Sequence, residues 1–160
     1  MLNINPMAVT DLTAQSAVLR SWKRGRIVVR DGRLIRIERR SVSWPTTILR
    51  VWWHTRFRPG NPDECVLDYR TTRTGGFAVL EFIWSGPATR FATLRHACQT
   101  LDEIARIRQC VAIFAHVSTT AISDRFLMRW GWSRHAESMN GRHWVKRFYG
   151  HDTLTPHGGR

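Results

Sequence analysis

The chain has 160 residues, 42% of them apolar and 11% aromatic, and its 25 basic against 12 acidic residues give a formal net charge of +13. That length and composition describe one domain able to bury a core, and they exclude a disordered chain. No apolar run approaches about 18 residues, which excludes a transmembrane helix, and the opening segment lacks a basic stretch ahead of an apolar one, so no secretory leader is expected.

The charge is unevenly placed. Between Arg20 and Arg58 there are 12 basic and 2 acidic residues, and every basic residue of the chain except Lys23 and Lys146 is an arginine. Arginine's planar fork donates in pairs to phosphate and carboxylate. An anionic partner (nucleic acid, an acidic protein or a phosphate-bearing cofactor) is one reading, and a solvated basic face is the other. Cys65, Cys98 and Cys110 are odd in number and lack CxxC spacing, the pattern of a reduced, cytoplasmic protein with buried thiols.

In chain order, Met7, Val9, Leu12, Ala17 and Val18 fall at loosely helical spacing, so a helix is expected within an N-terminal segment of residues 1–24. "RIVVRDGRLIRIERR" reads as two strands around Asp31-Gly32, the residues a two-residue hairpin turn prefers. In "WPTTILRVWWHTRFRPG", Pro45 is placed to open a helix, but Leu49, Val51, Trp53 and Phe57 alternate with polar residues and favour a strand. "CVLDYRTTR" and "GGFAVLEFIW" read as two further strands around Gly75-Gly76. In "GPATRFATLRHACQTLDEIARIRQC", Phe91, Leu94, Cys98, Leu101 and Ala105 step by three and four, with Ala97 and Ile104 widening the stripe, and Pro87 suits a first turn.

"VAIFAHV" follows as a short apolar strand of the kind buried on both faces. Strand, long helix and strand imply a crossover and one parallel pair. Ile122, Phe126 and Trp130 then lie four apart on one helical face. Ser118, Thr119 or Thr120 suit its start, Asp124 its positive end, and Gly131 its left-handed stop. "SRHAESMNGRHWVKRFYG" reads as a hairpin around Asn140-Gly141 that pairs His143 with Ser138 and His135 with Lys146.

This order of elements over about residues 75–150, and the segment "ISDRFLMRWGW" above all, resembles the C-terminal half of the GNAT superfamily of acyl-CoA-dependent N-acyltransferases. The resemblance implies an α/β (α+β) fold with a mixed, mainly antiparallel sheet. It places a long crossover helix over about residues 88–109 and a shorter one over about 120–130, in a domain of 25–150 with a tail of 151–160. It implies acetyl-CoA or another acyl-CoA as cofactor, its arm between the splayed strands "AVLEFIW" and "VAIFAHV". Phe82, Ile83 and Trp84, with Gly86, Ala88, Thr89 and Arg90 at the helix start, would hold it. The chain departs from the family's pattern in having one loop glycine, Gly86, followed by Pro87. Leu127 stands where the family often has a proton-donating tyrosine, and Thr120 where it often has asparagine.

The function this implies is a divergent N-acyltransferase in which an amine of unknown identity attacks the thioester directly, with Glu81 or His116 as base. Glu81 shares its strand face with Val79 and Ile83 and either serves as that base or pairs with an arginine. His116, ending its strand, either acts on a substrate or is a satisfied structural histidine. The alternative is a non-catalytic module binding nucleic acid or an acidic protein through Arg24, Arg26, Arg30, Arg33 and Arg36, with nearby tryptophans stacking on bases. A third reading keeps the fold for assembly alone. No GxSxG elbow is present, and the scattered histidines point to no metal site.

Overall fold

A computed structural model describes residues 8–40, 62–74, 76–117, 122–136 and 140–148. Met7, the strand expected within 45–57, Gly75, the caps Ser118, Thr119 and Thr120, and the tail from residue 151 lie outside the described residues. The elements in chain order are β1 (Ala8–Val9), α1 (Ser16–Ser21), β2 (Arg24–Arg30), β3 (Arg33–Arg39), β4 (Glu64–Thr71), β5 (Phe77–Ser85), α2 (Phe91–Ile107), β6 (Ala112–Val117), α3 (Asp124–Arg129), β7 (Trp132–Arg134) and β8 (Arg142–Arg147). The strands form one mainly antiparallel sheet in the order β1-β3-β2-β4-β5-β6-β8-β7, so the fold is mixed α+β with three helices among the described residues. Among the described residues its single parallel pair is β5 with β6, joined through α2.

α2 lies across β2, β3, β4 and β5. Ala97, Leu101, Ile104 and Ala105 of the helix meet Ile27, Val29, Ile37, Cys65, Leu67 and Tyr69 of the sheet in one core. At about 1.5–3 kcal/mol for each large aliphatic side chain removed from water, this layer dominates the stability of the domain. The segment ahead of residue 25 belongs to the same core, because Val9, Leu19 and Trp22 are wholly buried in it. Val9 pairs with Ile37 as a strand residue rather than lying in a helix. The Asp11 carboxylate accepts from the Thr13 and Ala14 amides, and the Gln15 side chain accepts from those of Thr10 and Asp11, so the chain turns here and α1 starts only at Ser16.

The Asp31-Gly32 hairpin forms as the sequence indicates, both residues having the positive φ (50° and 73°) of a type I′ turn. α2 begins at Phe91, later than expected, because Pro87 lies in a turn ahead of the helix and Arg90 is its extended N-cap. Its buried face is rotated from the expected stripe: the small residues Thr93, Ala97 and Thr100 let it approach the sheet, and Phe91 is 61% exposed. α3 is capped by Ser123, whose Oγ accepts from the Phe126 amide at 3.2 Å, rather than by residues 118–120, and Gly131 (φ 83°) ends it. β6 is not covered on both faces: Ile113 and Ala115 are buried, whereas His116 is exposed.

The C-terminal hairpin has a different register from the one a two-residue turn gives. Trp132 faces Lys146, and Arg134 faces Trp144. His135 donates its backbone N–H to the His143 carbonyl at 2.9 Å. A turn at Asn140-Gly141 alone would shift the pairing by three residues, an odd number, and put Trp132 and Trp144 on opposite faces. Both tryptophans are in the core, which selects the observed register.

α2 and α1 are fastened end to end. Gln109, at φ 57°, turns the chain so that the Cys110 N–H reaches the Ala105 carbonyl at 2.8 Å. Beside it, Arg108 Nη1 donates to the carbonyls of Leu19 (3.2 Å), Arg20 and Trp22 (2.6 Å) at the end of α1, where the last carbonyls of a helix run short of intrahelical donors. Hydrogen bonds from a charged donor contribute about 1.5–3 kcal/mol. Arg108→Ala is therefore expected to lower the unfolding free energy by about 2 kcal/mol in urea denaturation, and an unchanged midpoint would contradict this role.

Candidate functional site

The parallel pair opens into a fork. β5 and β6 pair from Phe77↔Ala112 to Leu80↔Ala115 and no further. Beyond that point β5 follows β4 to Ser85, while β6 follows β8 through His116↔His143 and Val117↔Arg142. The cause lies in β5. Tyr69 faces Leu80 and Asp68 faces Phe82, so Glu81 is an extra residue, a β-bulge that bends its strand away. Glu81 and His116 are the first residues past the last parallel pair, and both lie on the sheet face opposite α2, where Val79 and Phe114 precede them.

The bulge also corrects the expected face pattern. Ile83, opposite the buried Leu67, packs toward the core instead of sharing the face of Glu81. The Glu81 carboxylate holds Arg70 Nε at 2.8 Å and lies 3.8 Å from Arg24 Nη1, so both oxygens are engaged by cations. The His116 ring stacks on His143 with centroids 4.6 Å apart, and His143 Nε2 lies 3.0 Å from the Asn140 carbonyl. A Cβ on Gly141 would come within 2.6 Å of His116 Nε2, so a glycine there is required for the ring's position. His135 packs on Phe114 at 5.2 Å, on the same face, and not beside Lys146. Among the described residues, no group of three histidine, cysteine, aspartate or glutamate side chains is arranged to hold a metal.

At the corner between β5 and α2, the backbone amides are already engaged. The Gly86 N–H donates to the Glu64 carbonyl (2.8 Å), that of Ala88 to the Pro62 carbonyl (3.0 Å), and that of Arg90 to Asp63 Oδ1 (2.9 Å). Thr89 Oγ1 donates to the Glu64 carbonyl at 2.8 Å, and Arg90 Nε donates to Asp63 Oδ2 at 2.6 Å. Asp63 is thus an internal anion at the positive end of the helix. The Arg90 amide, with Thr93 and the Arg90 guanidinium, holds its carboxyl below the usual aspartate range. The amides of Gly86, Ala88 and Arg90 are thus closed to a pyrophosphate, Pro87 has no N–H, and the Asp63 carboxylate lies where such an anion would sit.

The arginines of the basic hairpin are largely paired across strands. Arg26 grips Asp68 with two bonds of 2.7 Å, Arg30 meets Glu64 at 2.6 Å, Arg24 faces Glu81, and Arg36 bonds Glu38. Arg33, at the turn, is exposed. The cysteines are free, and burial pushes the Cys65 thiol up to about 12 and raises those of Cys98 and Cys110. No helix among the described residues is long and apolar enough to cross a membrane.

The sequence points to Glu81, His116 and the helix corner, and it carries no local signal for Asp63 or His143. Asp63 sits in a turn cluster with no motif, and His143 was assigned to another register. No family model and no curated protein matches the sequence.

Asp63 has a pH signature. Its carboxyl titrates lower in the folded state than in the unfolded chain, so its contribution is fully present above the ordinary aspartate value near 3.9 and is lost as pH falls through the depressed one. Asp63→Asn should therefore lower stability at neutral pH and shrink the difference from the unsubstituted protein in acid. Denaturation midpoints from pH 7 to pH 2.5 test this, and a constant difference across that range would contradict it.

Proposed function

We propose that the chain is a divergent, GNAT-like N-acyltransferase that takes an acyl-CoA as donor and an amine as acceptor. The observation carrying this reading is the fork: a bulge at Glu81 ends the parallel pair of β5 and β6 at Leu80↔Ala115, and His116 stands at its mouth. Beyond the fork the edge of β5 offers backbone groups to an extended amide-bearing arm, and Phe82 and Trp84 are half-buried beside it. An acyl-CoA supplies an activated thioester when bound. The helix corner leaves its phosphates to be held elsewhere.

Within this reading the two carboxylate and imidazole candidates divide their roles. Glu81 anchors Arg70 and Arg24, which fixes the bulge and leaves it poorly placed to collect a proton. His116 is exposed at the open side, with His143 and Gly141 setting its ring, and it accepts the proton that an attacking amine must lose. Leu127, 7% exposed in the core, carries no proton, so the departing thiolate takes one from solvent.

The test is amine-dependent thiol release from acetyl-CoA with a diamine, an aminosugar and a peptide as acceptors. The raised thiols of Cys65 and Cys98 keep the protein's own background low. Release with at least one amine, lowered about 100-fold in kcat/KM by His116→Ala, is the expected result. No release with any acceptor, or full activity in His116→Ala, would sink the assignment. The second reading, a module binding nucleic acid or an acidic protein through the hairpin arginines, draws on the net charge of +13. The pairing of Arg24, Arg26, Arg30 and Arg36 with carboxylates places it behind.

A further inference from the structure

α2 and α3 face each other across a cleft of about 520 Å³ on the helix side of the sheet, a volume in the range of small-molecule sites. One wall is aromatic. Phe91 leans on Phe126 at 5.9 Å and on Trp130 at 6.5 Å with planes 30° apart, and Phe126 meets Trp130 edge-on at 4.9 Å. Phe91 is 61% exposed, although a large apolar residue of an amphipathic helix ordinarily turns inward.

The cleft is also cationic. Arg95, four residues after Phe91 on α2, and Arg129, beside Trp130 on α3, line it with Arg106 and Lys146. Lys146 is matched by Asp102 at 2.5 Å, and Arg106 by Glu103 at 3.4 Å. Burial raises the Asp102 carboxyl even against that ammonium, so this pair is closed within the protein and offers little to a ligand. Arg95 and Arg129 have no carboxylate partner among the described residues. Two uncommitted guanidinium groups and a three-ring stacking wall therefore share one cleft, while the helix corner that would otherwise take phosphates is filled by Asp63.

We infer that the α2–α3 cleft binds a phosphorylated nucleoside, its base against Phe91 and Trp130 and its phosphates on Arg95 and Arg129. Planar donors suit phosphate oxygens, and each base stacked on an aromatic side chain contributes about 1–3 kcal/mol. The cleft stands on its own geometry; that the nucleoside is the handle of an acyl-CoA rests on the acyltransferase reading. In that case the donor lies along the flank of α2 that faces α3, and its phosphates meet Arg95 and Arg129 rather than the corner of residues 86–90.

The full chain is titrated by calorimetry with adenosine 3′,5′-bisphosphate, acetyl-CoA and inorganic pyrophosphate. All three are repeated on Arg95→Ser/Arg129→Ser, on Phe91→Ala and on Arg33→Ser. The substituted residues are exposed, and circular dichroism melts check that each variant folds. The bisphosphate and acetyl-CoA should bind, the double arginine variant should weaken both at least tenfold, and Arg33→Ser should leave both unchanged. Phe91→Ala should weaken the bisphosphate and leave pyrophosphate unaffected. Failure of the bisphosphate to bind at millimolar concentration, or equal binding by the double variant, overturns the cleft assignment. Bisphosphate binding that depends on the two arginines without thiol release keeps the cleft and removes the transferase reading. Thiol release indifferent to the double variant does the reverse.

Discussion

Glu81 is one residue more than the ladder between β4 and β5 can pair, and the geometry of the candidate site follows from that excess. The bulge turns β5 away from β6 after four paired positions, so a sheet continuous on both sides of the fork carries an opening at its centre. It also moves Ile83 to the core side while Glu81 stays on the other, where Arg70 and Arg24 hold it. These exposed ion pairs are individually weak, of the order of 1 kcal/mol or less. Their contribution is to keep the extra residue in one place.

A second constraint is that the arginines of β2 are answered within the protein. A chain with +13 and arginines crowded into its first third invites the expectation of an external polyanion. In the fold, β2 sets Arg26 and Arg30 directly opposite Asp68 and Glu64 of β4. Asp63 then answers the positive end of α2. The arginines left without carboxylates in the cleft, Arg95 and Arg129, belong to the other half of the chain and come from segments whose local sequence is not conspicuously basic. Total charge is thus a poor guide to where an anion meets this surface, and cross-strand register is a better one.

The elements with a strong local signal were legible in the sequence. Asp31-Gly32 adopts the two positive φ values that its hairpin needs, the long helix and its crossover lie where the stepping of apolar residues puts them, and Gly131 ends α3 in a left-handed conformation. What escaped depended on distant partners. The buried face of α2 is rotated because Thr93, Ala97 and Thr100 meet the sheet together with Leu101 and Ile104, and this leaves Phe91 outside. The C-terminal register was missed because the need to bury Trp132 and Trp144 together outweighs the local preference of Asn140-Gly141 for a tight turn. Asp63 could not be recognised as a helix cap since it lies 27 residues before the amide that it accepts from. The place of Ile83 on the core side, away from Glu81, is not legible for a related reason: a bulge is a property of a pair of strands.

Amide chemical shifts of the isotopically labelled protein during an acetyl-CoA titration test directly whether the fork and the α2–α3 cleft form one donor site. Concerted changes are expected at Phe82, Ile83, Trp84 and Val117 along the fork and at Arg95 and Arg129 in the cleft, all saturating with one dissociation constant. Changes confined to the Asp31-Gly32 hairpin and its arginines, or a spectrum unmoved at millimolar acetyl-CoA, would contradict it.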